Sequence, residues 1–102
     1  MLRDLLRLWG HEVLEAADGT TGLDLLRRER LDVAIIDVGL PGLTGYQVVE
    51  QFRAGAGDGR PRLIALTGYG REEDRRRALD AGFDTHCVKP VDVDRLQKLL
   101  GV

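Results

Sequence analysis

A chain of 102 residues that is 43% hydrophobic and 31% charged has the size of one small globular domain and too much apolar content for disorder. Its 15 basic and 17 acidic residues leave a net charge of -2, which argues against a general nucleic-acid or membrane surface and favours a protein partner. Cys87 is the single cysteine, so no internal disulfide or cysteine metal cluster can form, and the stretch from Met1 to Trp9, broken by Arg3, Asp4 and Arg7, is no signal peptide.

Leu2, Leu5, Leu6 and Trp9 recur at helical spacing and Gly10 stops the run, so a helix starts with the chain and Trp9 is a packing residue. His11 to Ala16 reads as a short strand centred on Val13 and Leu14, with His11 at its end and without chemistry. Gly19 to Arg30 holds a second helix that turns Leu23 and Leu26 inward and leaves Arg27, Arg28 and Arg30 to solvent. Val33 to Ile36 is a short apolar, β-branched run ending in one carboxylate, Asp37, and such runs are strands buried on both faces of a parallel sheet. Gly39, Gly42 and Gly45 then let the backbone turn sharply close to that carboxylate.

Tyr46 to Arg53 forms a third helix on Val48, Val49 and Phe52, and the glycines and proline of Gly55 to Pro61 form a loop. After a strand from Leu63 to Leu66, the segment Arg71 to Ala81 is helical, but only Ala78, Leu79 and Ala81 are apolar. That weak stripe predicts a loosely held helix suited to movement. Phe83 to Val88 is the last strand, Lys89-Pro90 ends it, and Asp92 caps a final helix with Val93, Leu96, Leu99 and Leu100 on one face. Helices and strands alternate without an internal repeat, the pattern of one α/β domain.

In open α/β sheets ligands bind just outside the carboxyl ends of the strands. Asp37, Thr67 and Lys89 each follow an apolar strand, so parallel neighbours would bring a carboxylate, a hydroxyl and an ammonium to one edge. Alone, an Asp after a strand is more often a turn former or a helix cap than a site residue. Together the three suit a phosphoryl group, with Asp as nucleophile and Thr and Lys as ligands of the transferred oxygens.

At these residues the chain resembles the receiver domains of bacterial two-component response regulators. The match rests on Gly10-His11-Glu12-Val13, Ala17-Asp18-Gly19, Asp32 to Asp37, Leu40-Pro41-Gly42 with Gly45, Leu66-Thr67-Gly68, Ala81-Gly82-Phe83-Asp84 and Lys89-Pro90. The resemblance implies a single receiver domain over residues 1–102 with a flavodoxin-like (CheY-like) doubly wound parallel sheet. It makes Asp37 the phosphoacceptor for a histidine kinase or hybrid kinase domain, Thr67 the switch hydroxyl, and Lys89 the phosphate-pairing lysine before a cis bond to Pro90. It further implies magnesium at Asp37 and the Gly39 carbonyl, and a cytoplasmic signalling protein rather than an enzyme. Small phosphatases of the haloacid dehalogenase type carry a second Asp two residues after the nucleophile, where this chain has Gly39.

The chain departs from that family at its start, where receivers normally carry a strand ending in an acidic pair that holds the magnesium. In the family's order, 2-1-3-4-5, strand 1 is absent, so the domain is incomplete at its N-terminus and magnesium binding is expected to be weak. Asp18, in a turn, and Asp32, at the wrong end of its strand, do not replace the pair. The loss leaves a gap of roughly 10 Å, so either the His11 strand moves beside the Asp37 strand or a second copy pairs there as a homodimer. His86 stands where many receivers have an aromatic switch residue. These departures keep a second reading open, a degenerate receiver acting as a phosphorylation-independent protein-binding module.

Overall fold

Eight elements carry the fold of the computed structural model, which describes residues 2–39, 42–56, 61–68 and 72–100. The expected turn at Leu40-Pro41, the middle of the loop between Gly55 and Pro61, and the helix start at Arg71 lie outside the described residues. Helix α1 (Leu2–Leu8) stops at Gly10, whose φ of 91° lets the N–H groups of Gly10 and His11 bond back to the carbonyls of Arg7 and Leu6 at 3.0 and 3.1 Å. Helix α2 (Gly19–Arg28) begins at Asp18, whose carboxylate accepts from Thr21 N–H at 2.8 Å. Its buried side is Leu23 and Leu26, as the sequence pattern requires.

Strands β1 (Val33–Asp37), β2 (Arg62–Thr67) and β3 (Thr85–Val88) form a parallel sheet in the order β1-β2-β3, joined by helices α3 (Gly45–Ala56) and α4 (Glu72–Ala81) and followed by α5 (Val93–Leu100). The register sets Asp37 opposite Leu66 and Thr67 opposite Val88. Leu63, Ile64 and Ala65 of β2 are fully buried, because this strand alone has neighbours on both edges among the described residues. On one face, Ile36, Leu63 and Ala65 pack with Leu23 and Leu26 of α2, Val48, Val49 and Phe52 of α3, and Ala78 of α4. On the other, Ile64, Leu66 and Cys87 meet Leu99 and Leu100 of α5. Alternate strand residues therefore feed two cores, as a doubly wound sheet requires.

The strand expected over His11 to Ala16 does not form: the segment has no regular structure, and Leu14 is 53% exposed. A strand exists only through a paired neighbour. The segment has not moved beside β1, which pairs with β2 alone among the described residues. The apolar centre Val13-Leu14 is real in the sequence, but with no ladder to join it stays unpaired.

The chain between α4 and β3 is held by a polar knot. Gly82 adopts φ 119°, and a Cβ there would lie 2.8 Å from Arg53 Cγ and 3.0 Å from Val49 Cγ1, so only glycine fits. Arg53 uses the space, donating to the Gly82 carbonyl at 3.1 Å and pairing with Asp84 at 3.2 Å. Asp84 also accepts from Leu63 N–H at 2.7 Å, while its own N–H donates to the Leu63 carbonyl at 2.8 Å. The end of α3, the start of β2 and the approach to β3 are thereby tied together.

Candidate functional site

The carboxyl edge of the sheet gathers Asp37, Thr67 and Lys89. The Leu66–Thr67 stretch lies between the other two: Val38 N–H donates to the Leu66 carbonyl at 3.1 Å, and Lys89 N–H donates to the Thr67 carbonyl at 2.8 Å. Thr67 is 2% exposed, the only polar residue among the buried ones described. The Lys89-Pro90 bond is cis, and the Lys89 ammonium donates to Asp37 Oδ2.

The second carboxylate oxygen of Asp37, Oδ1, accepts from Gly39 N–H at 2.8 Å. Gly39 thus meets the site through its amide, a contact that sequence reasoning did not assign. Its only signal was a glycine two residues after the acid. Burial by itself would raise the Asp37 pKa, but the hydrogen bond from Lys89, that from Gly39 and the charge of Lys89 outweigh it and hold the group below its ordinary value. Asp37 is therefore ionised at neutral pH, the state a nucleophilic carboxylate needs.

Gly45, at the start of α3, closes the site from below. Its N–H donates to the Val38 carbonyl at 3.2 Å, and a Cβ would lie 2.7 Å from Val38 Cα and 2.8 Å from the Asp37 carbonyl oxygen. The helix can approach the acid's own backbone only because this residue has no side chain.

His86 is not part of this cluster. It sits inside β3, half-buried, with its carbonyl accepting from Arg95 Nη2 of α5 at 3.0 Å. Burial, then the charges of Arg95 and Arg75, lower its pKa against the opposing pull of Glu72 and Asp74, so the ring is neutral at physiological pH. Asp18 is taken up as the α2 cap, and Asp32 lies at the opposite end of β1 from Asp37.

As a magnesium site the edge offers Asp37 and the backbone at Gly39. Among the described residues no group of three or more His, Cys, Asp or Glu side chains could hold a metal ion. Such a set suits magnesium only if water and phosphate oxygens fill most of the octahedron. No helix among the described residues is long and apolar enough to cross a membrane.

Comparison with known proteins converges on one family. The model of the response regulator receiver domain matches residues 1–101. The chain is 28% identical over 97 residues to the sporulation initiation phosphotransferase F of Bacillus subtilis, covering 95% of this chain and 77% of that protein. It is also similar to the receiver domain of a sensor histidine kinase from Pseudomonas aeruginosa, a crystal structure with a magnesium ion coordinated in the active-site cleft. The identity is 33% and the TM-score 0.86, covering 97% of this chain and 81% of that one. The receiver domain of a Saccharomyces cerevisiae response regulator, crystallised with its histidine phosphotransfer protein, has a TM-score of 0.87 at 26% identity, covering 96% and 74% of the two chains.

Proposed function

Since this chain belongs to the response regulator receiver domain family, the phosphoacceptor modules of phosphorelay signalling, we propose that Asp37 is the residue that accepts the phosphoryl group. A carboxylate oxygen of Asp37 attacks phosphorus in a donor phosphohistidine, the N–P bond breaks as the O–P bond forms, and the imidazole leaves with the electron pair. Lys89 neutralises charge on the phosphoryl oxygens, and the Thr67 hydroxyl and the Gly39 amide supply hydrogen-bond donors at the same edge. Magnesium would be held by Asp37 and the Gly39 carbonyl and would supply further charge neutralisation for the transferred group. With so few protein ligands its binding is weak until phosphate oxygens join the shell.

The observation that carries this reading is the joint engagement of Asp37 by Lys89 and Gly39, which leaves an ionised acid beside a cation at the carboxyl edge of a parallel sheet. Gly39 stands where small phosphatases of the haloacid dehalogenase type carry the second Asp that serves as general acid, which supports an acceptor rather than a phosphatase. The donor is a histidine kinase or hybrid kinase domain, and nucleic acid is not a partner. Residues 1–102 act as one receiver unit, in the cytoplasm, which suits the free, buried thiol of Cys87. The test is labelling with a small phosphodonor and magnesium followed by mass spectrometry of peptides. The label should sit on Asp37, and Asp37→Asn should remove it; incorporation that survives the change would refute the assignment.

The edge of β1 away from β2, which has no strand beside it among the described residues, also supports a homodimer through strand pairing. Hydrogen bonds from Arg62 N–H to the Asp32 carbonyl and from Val38 N–H to the Leu66 carbonyl turn the even-numbered peptides of this strand toward β2, so those of Val33, Ile35 and Asp37 face away. Sedimentation should show a dimer that Ile35→Pro dissolves, and a monomer at high concentration excludes it.

A further inference from the structure

Gly19 opens α2 directly after the Asp18 cap and is buried there. Its backbone does not ask for glycine: the glycines at positive φ among the described residues are Gly10, Gly42 and Gly82, and alanine is the better helix former. A neighbour asks for it. A Cβ at Gly19 would lie 2.7 Å from Leu43 Cβ, 2.9 Å from the Leu43 carbonyl carbon and closer still to its oxygen, well inside contact distance and against main chain that cannot rotate away like a side chain. Gly22, three residues on in the same helix, has no such neighbour: a Cβ there would meet Ala16 Cβ at 3.8 Å, an ordinary contact.

From Leu43 the path to the acid is short. Two residues on, Gly45 N–H donates to the Val38 carbonyl at 3.2 Å, and Gly39 N–H donates to Asp37 Oδ1 at 2.8 Å. The Val38 carbonyl and the Gly39 N–H belong to one planar peptide, so a single rigid unit carries both bonds. The joint between Leu43 and Gly45 is itself fixed by a reciprocal cap on α3, with Thr44 N–H donating to Gln47 Oε1 at 2.9 Å and Gln47 N–H to Thr44 Oγ1 at 3.2 Å. On the other side of the contact, α2 is anchored in the core by Leu23 and Leu26.

We propose that Gly19 is a positioning residue for Asp37: bearing no side chain, it lets Leu43 sit where Gly45 holds the Val38-Gly39 peptide with its N–H on the carboxylate. Gly19 touches none of the reacting atoms. Its effect on phosphoryl transfer rests on the reading of Asp37 as phosphoacceptor; its effect on the carboxylate does not. Helix α2 gives the site no ligand of its own, yet through this contact it sets which way one carboxylate oxygen faces. To accept a Cβ, Leu43 must retreat on the order of 1 Å, and a misplacement on that scale costs up to about a hundredfold in rate. The tilted peptide also gives up one of the bonds that hold the Asp37 pKa down.

The experiment compares the full chain with Gly19→Ala, Gly22→Ala and Gln47→Ala, by carbon NMR titration of the Asp37 carboxyl and by the rate of labelling with acetyl phosphate and magnesium. Gly19→Ala should raise the Asp37 pKa and slow labelling about ten- to a hundredfold, and Gly22→Ala should match the wild type in both. Gln47→Ala, an exposed change that loosens the Thr44 joint without a clash, should raise the pKa in the same direction. An unshifted Asp37 in folded Gly19→Ala would overturn the proposal. So would an equal shift in Gly22→Ala, which would make the effect one of any change in α2. If Gly19→Ala does not fold, Gln47→Ala decides: an unshifted Asp37 there overturns the route through Gly45, and a raised value upholds it. If the wild type takes no label on Asp37, the acceptor reading falls, while the titrations still decide the positioning.

Discussion

The Lys89 ammonium bonds the Asp37 carboxylate although the two residues leave strands that are not neighbours, with β2 lying between β1 and β3. The lysine reaches across the end of the intervening strand, over Leu66 and Thr67, and the pair stays accessible, with Lys89 and Asp37 side chains 42% and 36% exposed. At that exposure its contribution to stability is small, and its role is electrostatic control of the acid.

Lys89→Gln should therefore raise the Asp37 pKa. The wild-type value is lowered against the effect of burial by the hydrogen bond from Lys89, the amide of Gly39 and the lysine's charge, and the variant keeps only the second at full strength. Carbon NMR titration of the Asp37 carboxyl measures it. An unshifted titration would show that Gly39 alone sets the value.

Stability at acid pH follows from the same shift. A carboxyl whose folded pKa lies below its unfolded value of about 3.9 stabilises the fold above that value, and loses the contribution as pH falls through the folded pKa. Urea denaturation from pH 5 down to about pH 2 should thus show a shallower loss of stability in Asp37→Asn than in the wild type. Parallel curves would show that Asp37 carries no folded-state shift.

His86 has the opposite chemistry and acts at higher pH. Burial and then Arg95 and Arg75 depress its pKa, so the unfolded chain binds the proton more readily than the fold does. Its contribution is complete above the unfolded value of about 6.5 and is lost as pH falls from there through the folded pKa. His86→Phe should flatten the fall in stability between pH 7 and about pH 5. A wild-type fall that persists in the variant assigns it to other groups.

Gly82→Ala should destabilise the domain by about 1 to 3 kcal/mol, the cost of a side chain at positive φ, with the approach to Arg53 Cγ and Val49 Cγ1 added. Chemical denaturation measures it. A change within 0.5 kcal/mol would show that the turn relaxes freely.

Much of this arrangement was legible in the sequence, for local reasons. Strands β1, β2 and β3 are compact apolar runs, and an acid, a hydroxyl and a lysine after them must come to one edge if the strands are parallel. Asp92 caps α5 as expected, its Oδ1 accepting from Asp94 and Arg95 N–H at 3.0 and 3.4 Å, and Gly10 stops α1 as its position predicts. What failed was non-local. The Val13-Leu14 pattern is that of a strand, but strandedness belongs to a pair, and no partner strand lies beside it among the described residues. Arg53 with Asp84, and Arg77 with Tyr46, join residues 31 apart, and no spacing rule connects positions at that distance.

The order of strands in the sheet repeats their order in the chain. β1-α3-β2 and β2-α4-β3 are consecutive crossover units sharing β2, so each strand need only find the one that immediately precedes it, with one helix of loop to close. Folding can then begin with either unit, and whichever forms first presents β2 as the template for the other. Damage within β3 leaves the β1-β2 half free to assemble at its own rate. Damage within β2, at Ile64 for example, removes the template from both halves at once and slows every route to the native state.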